Sequence, residues 1–265
     1  MKLWLIYDRF EAERNRRYID FYFEKCKEKG IELALKIVED NLDFASLPDI
    51  AIVRTMNPSL SERLEKAGVK VCNNSFISRI ANDKWSTYEY LAKNNIRLPD
   101  TYLVTDTFVP PYYPMVLKPC MGKGGRDVEI VNNYEEFTAY KERVREKTIA
   151  QRLVSDKGKD LRVYVVGGRI IKAMLRISET DFRSNFCLGG KAVEYELSDW
   201  ERAEIEKVIA LFDISYAGLD FIFDGGKIIF NEMEDVVGAR MLYTYTDIDI
   251  VDIYLNFLIS HTNLT

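Results

Sequence analysis

Gly218-Leu-Asp-Phe-Ile-Phe-Asp-Gly-Gly-Lys-Ile-Ile-Phe-Asn-Glu-Met-Glu-Asp235 reads as a β-hairpin, two apolar runs either side of the turn Asp224-Gly225-Gly226. If those three residues form the loop, Phe223 faces Lys227 and Asp220 faces Phe230. Glu232 and Glu234 then fall on the face of Asp220, because side chains alternate with period two. A two-residue loop would instead pair Asp220 with Asn231 and send both glutamates to the other face. On the first register three carboxylates converge beside an otherwise apolar sheet. Such a cluster repels itself unless cations fill it, and hard oxygen ligands suit Mg²⁺ or Mn²⁺. Asp220, Glu232 and Glu234 are the expected metal ligands.

The rest of the composition narrows the chemistry. A chain of 265 residues with 47% hydrophobic and 30% charged residues can build one or two domains with real cores. The net charge of −5 gives no electrostatic footprint for nucleic acid. The run Leu3 to Tyr7 is too short for a signal peptide, and Ile250 to Ile259, broken by Asp252 and Asn256, is too short to span a bilayer. Cys26, Cys72, Cys120 and Cys187 are scattered without a CxxC pair, so neither zinc nor a disulfide framework is expected, and a cytoplasmic location is the plain reading. The sole histidine is His261. That excludes a Ser-His-Asp triad, a His-ligated metal and a histidine base. Lys, Arg, carboxylates and backbone amides remain, an inventory that suits phosphoryl chemistry, where positioning and charge neutralisation matter most.

Outward from the hairpin, the chain divides by texture. Residues 1–79 alternate strand and helix: a buried strand over Leu3–Tyr7, an amphipathic helix over Glu11–Lys29 stopped by Gly30, strands over Ile50–Val53 and Val69–Cys72, and between them a helix opened by a Ser59/Glu62 capping box. This predicts a small parallel sheet covered by helices, an α/β N-terminal domain. From about residue 80 the pattern becomes α+β. Asn82 or Asp83 caps a helix, and Pro110, Pro111 and Pro114 mark an irregular connection. Strands then fall at Met115–Lys118, Asp127–Val131, Thr148–Val154, Leu161–Val166 and Ile170–Arg176, with a helix from Asn133 to about Lys147. A second capping box, Ser198 with Glu201, opens a helix to Phe212, and Asp247 opens a closing apolar helix.

Several segments could carry chemistry. Gly122, Lys123, Gly124, Gly125 and Arg126 form a glycine- and cation-rich turn between two strands, able to bring backbone N–H groups to phosphate oxygens but equally readable as an exposed hairpin tip. Lys118 ends the strand leading into it and could hold a phosphate as a point charge, or simply snorkel. Asp181-Phe-Arg-Ser-Asn185, followed by Gly189-Gly190, offers the donors of Arg183, Ser184 and Asn185. Asp160 and Arg162 share one strand face; they could pair with each other, or meet a ribose hydroxyl and a phosphate.

Taken together these segments resemble the ATP-grasp superfamily and, within it, the RimK-like glutamate ligases. The resemblance is collinear over nearly the whole chain: Arg54, Val69-Lys-Val-Cys-Asn-Asn-Ser75, Asn82-Asp-Lys84, Val116-Leu-Lys-Pro with Gly122 to Gly125, Ala150-Gln-Arg-Leu-Val154, Asp160-Leu-Arg-Val-Tyr-Val-Val-Gly-Gly168, and Asp181-Phe-Arg-Ser-Asn185, the most specific string. It implies an ATP-grasp domain over 80–265, with a lid subdomain at about 100–150 and a C-terminal subdomain at about 151–265 that clasp ATP between them. Lys84, Lys118 and the lid glycines with Lys123 would touch phosphates, as would Arg183, Ser184 and Asn185. Gln151, Arg152, Leu153 and Val154 would form the adenine hinge, and Asp160 would bind on the nucleotide side. Asp220, Glu232 and Glu234 would ligate Mg²⁺ or Mn²⁺.

The sequence departs from the family pattern at Glu234, where Asn is usual, which leaves Asn231 with Glu232 as an alternative ligand pair. It departs at Arg152, where an acid is usual, and in the tail Asp235-Val-Val-Gly-Ala-Arg240. The activity implied is an ATP-dependent carboxylate–amine ligase working through an acyl phosphate, with Arg162, Arg183 and Arg240 as catalytic candidates and Arg54 as a further grip for a substrate carboxylate. The partners implied are small-molecule or peptide acids and amines, with neither nucleic acid nor membrane, and a homo-oligomer is compatible. A small-molecule kinase or a non-catalytic ATP-binding module would share the nucleotide machinery.

Overall fold

The computed structural model describes residues 1–40, 42–122, 124–178 and 191–262. The first sheet is parallel and comprises β1 (Lys2–Tyr7), β2 (Glu32–Ile37), β3 (Ile50–Val53) and β4 (Lys70–Cys72) in the order β2-β1-β3-β4. All four residues of β3 and five of six in β1 are buried, as expected of central strands covered on both faces. The amphipathic stretch after β1 is not one helix but two, α1 (Arg9–Arg14) and α2 (Arg16–Glu28). Asn15 breaks it: its side-chain Nδ2 donates to the Glu11 carbonyl at 2.8 Å, and its backbone leaves helical geometry. Helix α3 (Pro58–Lys66) starts earlier than the Ser59/Glu62 reading, because Asn57 caps it through the Leu60 N–H and Pro58 occupies the first turn. Two further helices, α4 (Ser75–Ala81) and α5 (Lys84–Lys93, capped by Asp83), lead away from this sheet.

The second sheet is antiparallel, β5 (Thr101–Val104), β6 (Met115–Pro119), β7 (Glu129–Val131) and β8 (Thr148–Arg152) in the order β5-β8-β6-β7, with α6 (Tyr134–Arg143) on it. It has its own small core, from Met115, Leu117, Val131, Phe137, Tyr140 and Ala150. The third sheet orders β9 (Asp156–Val166), β10 (Arg169–Ile177), β11 (Lys191–Tyr195), β12 (Tyr216–Asp224) and β13 (Lys227–Glu234) as β11-β10-β9-β12-β13. Helices α7 (Asp199–Ile209), α8 (Arg240–Tyr245) and α9 (Ile250–Thr262) complete the chain. The Ser198/Glu201 capping box of α7 forms as read from the sequence. One face of the third sheet joins the first: Leu3, Leu5 and Tyr7 share a core with Tyr164, Val166, Tyr216 and the α9 residues Tyr254, Leu255 and Leu258. A buried amide staples the two, Asn73 donating to the Tyr216 carbonyl at 2.7 Å and accepting from the Ser215 N–H at 2.8 Å. Among the described residues no helix is long and apolar enough to cross a membrane.

The decisive hairpin differs from the expected loop and still delivers the expected face. Its loop has two residues, Gly225 and Gly226, both with positive φ, so Asp224 pairs with Lys227. Continued unbroken, that register would set Asp220 against Asn231. A β-bulge between Phe221 and Asp220 shifts it by one residue, so Asp220 faces Glu232 and Gly218 faces Glu234.

Candidate active site

Strand β9 lays out the site. Leu161, Val163 and Val165 point into the core beneath α7, so Asp160, Arg162 and Tyr164 share the opposite face. Across the strand pair Asp160 stands opposite Ile222, Arg162 opposite Asp220 and Tyr164 opposite Gly218. On the other side Arg176 of β10 stands opposite Asp160. Each step of two residues is roughly 7 Å along the strand.

Asp160 and Arg162 do not pair with each other. Arg176 holds Asp160 through two hydrogen bonds, Nε to Oδ1 at 2.5 Å and Nη2 to Oδ2 at 2.7 Å, and reaches Asp220 Oδ2 at 2.8 Å. Arg162 holds Asp220 at 2.7 and 2.6 Å and Glu234 Oε1 at 2.7 Å. Asp160, Arg162, Arg176 and Asp220 are all buried, so each charge depends on the others. Burial alone would raise the Asp220 carboxyl, but the two guanidinium groups outweigh it and hold it at about 2. Arg176 was missed in the sequence. Its signal was an arginine between Leu175 and Ile177 in an apolar strand, beside the Asp160-Leu-Arg162 strand.

Asp220, Glu232 and Glu234 each offer a carboxylate oxygen within 4.8 Å of the others. Three converging hard oxygen donors fit a divalent cation such as Mg²⁺ or Mn²⁺. Asn231, the alternative ligand, is turned to Lys118, whose Nζ donates to its Oδ1 at 2.8 Å and to Gln151 Oε1 at 2.7 Å. Burial pushes the Lys118 ammonium down to about 8; Glu232 opposes this and Lys84 adds to it. Lys84 Nζ lies 2.9 Å from Glu232 Oε1 and 3.2 Å from the Gly122 carbonyl. Gly124 and Gly125 have positive φ, which a side chain would strain.

These groups open on one cavity of about 350 Å³, lined from all three sheets. Lys84, Lys118, Gly122, Gly124 and Gly125 border it, as do Gln151, Arg152, Leu153 and Val154. Arg152 turns its guanidinium to Asp224 at 2.6 Å. Asp160, Arg162 and the three carboxylates line the floor, and Arg240 borders the far end. Arg54, buried, faces the same end and donates to the Val237 carbonyl at 2.8 Å. Tyr7, Glu11, Arg14 and Asn15 also reach the cavity, and nothing in their sequence signalled it. Lys123, Arg183, Ser184 and Asn185 lie outside the described residues.

A family model described as a RimK-like ATP-grasp domain matches residues 81–258. The chain is 24% identical to "Uncharacterized protein MG011" of Mycoplasma genitalium, over 98% of its own length and 93% of that protein. It is 26% identical to N-acetylaspartylglutamate synthase A of Mus musculus, over 98% of its own length and 78% of the relative. D-alanine–D-alanine ligase of Bacillus anthracis, solved in complex with ATP, superposes with a TM-score of 0.75 at 17% identity, covering 98% of this chain and 96% of that one.

Proposed function

The chain belongs to the RimK-like ATP-grasp family, and from that premise we propose that this ATP-grasp ligase joins a carboxylate to an amine through an acyl phosphate, releasing ADP and phosphate. The observation that carries the reading is the convergence, on one cavity, of Gln151–Val154, Lys84 and Lys118, the glycines 122, 124 and 125, and a three-carboxylate cluster.

ATP would lie with its adenine at Gln151–Val154 and its phosphates under the lid. Lys84 and Lys118 would hold phosphate oxygens, with amides of the Gly122–Gly125 turn adding neutral donors. Asp220, Glu232 and Glu234 would hold a divalent cation, which when bound neutralises crowded phosphate oxygens and favours transfer of the terminal phosphoryl group. A substrate carboxylate oxygen attacks the γ-phosphorus, and the bond to the β–γ bridging oxygen breaks to release ADP. The amine then attacks the acyl carbon, phosphate leaves with the C–O electron pair, and the nitrogen gives up its proton to yield the amide. Arg162, fixed by Asp220 and Glu234, places a guanidinium beside the charge that moves. The lid sheet would shut water away from the acyl phosphate.

The test is a matrix of amino acids and short peptides supplied as acid and amine with ATP and Mg²⁺, with phosphate release and product mass followed together. Phosphate release that needs both partners and yields an amide is expected. A phosphorylated hydroxyl product, or phosphate release without an amide, would contradict the proposal. Glu232→Gln should lower turnover at least a hundredfold while the circular dichroism spectrum stays native; near-normal rates would remove Glu232 from the metal set.

A further inference from the structure

Phe221 faces Phe230 and Asp220 faces Glu232, so Asn231 has no partner across the β12–β13 pair. It is the extra residue of the bulge, and the direction of both glutamates depends on it. In an unbroken register Asn231 would stand opposite Asp220, and Glu232 and Glu234 would turn to the other face of the sheet. Among the described residues β13 lies at the edge of its sheet. No further strand holds the bulge from outside.

Helix α5 covers that edge. Lys84 and Tyr88, four residues apart, share one face of the helix, and both reach β13. Lys84 Nζ lies 2.9 Å from Glu232 Oε1, and the Tyr88 hydroxyl donates to the Asn231 carbonyl at 2.7 Å. The Tyr88 ring stands edge-on to Phe230, with centroids 6.2 Å apart, and is buried with Cys120 and Ile149. Beyond the helix, the Arg97 carbonyl accepts from the Phe230 N–H at 3.4 Å.

A bulge interrupts the ladder, so the backbone groups it frees must find partners elsewhere. Here Tyr88 takes the carbonyl of the bulged residue, and Lys118 takes its side chain. Lys118 borders the cavity and Tyr88 does not. The Tyr88 bond is therefore the one for which a nucleotide does not compete.

We propose that Tyr88 is a positioning residue for the three-carboxylate site. Its hydroxyl ties the bulged Asn231 to α5, and the bulge keeps Glu232 and Glu234 on the face of Asp220. Without the hydroxyl, β13 samples the unbroken register, in which Asp220 stands apart from both glutamates. Affinity for a divalent cation then falls in proportion to the time spent there.

This inference rests on the reading of the three carboxylates as a metal site, and the experiment separates the two. AMPPNP is titrated into wild type, Tyr88→Phe and Tyr90→Phe, once in EDTA and once in excess Mn²⁺. The ratio of the two affinities is the contribution of the metal. Tyr90 lies on the same helix and donates to the Leu211 carbonyl at 3.2 Å, so its variant removes a comparable bond away from β13. Tyr88→Phe is expected to lower the ratio at least fivefold, with affinity in EDTA within twofold of wild type. Tyr90→Phe should leave both unchanged. A ratio unchanged in Tyr88→Phe, whatever its melting temperature, overturns the role of Tyr88. If that variant does not fold, hydrogen exchange of the wild type decides: residues 230–234 should exchange far more slowly than the turn 224–227, and equal rates overturn the proposal. A wild-type ratio of one overturns the metal reading, and this inference with it.

Discussion

Lys118 is half-buried between two neutral acceptors, Gln151 and Asn231, and loss of solvent pushes its ammonium down to about 8. In the unfolded chain a lysine keeps its proton to about pH 10.4. Below about pH 8 the folded protein therefore carries the cost of holding that charge partly away from water. Between about 8 and 10.4 the unfolded state binds more protons, so this group makes stability rise with pH across that window. Nucleotide binding should run the other way, because phosphate oxygens favour the ammonium. Affinity for AMPPNP is predicted to fall as pH rises through 8, and binding at pH 8 should draw in protons. Calorimetry in two buffers of different ionisation enthalpy reads this directly, and identical heats would count against it. Lys118→Met should remove the proton uptake.

Arg176 poses a different question at the same scale. It is the partner of Asp160 and shares Asp220 with Arg162. Arg176→Met is predicted to destabilise the protein by about 3–5 kcal/mol, the usual cost of leaving a buried charge without its partner. Urea denaturation checks this. Arg143→Met, which removes the exposed pair with Glu129, serves as the contrast at about 0–1 kcal/mol.

Among the elements, the three-carboxylate hairpin shows what a sequence does and does not carry. The two apolar runs, the Asp-Gly-Gly turn and the acids at alternate positions were legible, and the three carboxylates do share a face. The loop length and the bulge were not: a bulge is a backbone adjustment with no sequence mark of its own, and here it restores the face that the tight loop would have reversed. Caps behaved similarly. The Ser198/Glu201 box was read correctly because it is reciprocal and local. Asn57 with Pro58 carried an equally readable signal, but Ser59 with Glu62 imitated a cap just inside the true start. Short edge strands such as β2, β5 and β11 went unread because partly exposed residues give them no continuous apolar run.

Gly218 of β12 packs against Val237 of the segment that follows β13. A methyl at position 218 would come within 2.6 Å of Val237 Cγ2. Gly218→Ala should destabilise by about 1–3 kcal/mol through overpacking. Adding Val237→Ala should recover part of that loss, a coupling that a double-mutant cycle of thermal or urea melts would expose. Strict additivity would mean the two residues do not compete for the same space.

For the molecule as a whole, an α/β part followed by an α+β part was legible from where helical and strand periodicities alternate, and the parallel first sheet and the two antiparallel sheets agree with that order. What periodicity could not supply was how the sheets face each other. The common core of β1 with β9 and α9 brings Tyr7, Glu11 and Arg14 to the far end of the cleft, and long-range packing of this kind leaves no local sequence pattern. The resemblance supplied that arrangement, since it names a cleft and not only elements. It left open the acid and the amine.

On the acyl-phosphate route one oxygen of the substrate acid passes to phosphate on the way to the amide. The acid identified by the substrate matrix, labelled with ¹⁸O in its carboxyl group, is incubated with the protein, ATP, Mg²⁺ and the amine, and the released phosphate is analysed by mass spectrometry. One ¹⁸O atom in each phosphate formed is the predicted result. Phosphate free of label, with all ¹⁸O retained in the acid or its product, would contradict the acyl-phosphate route.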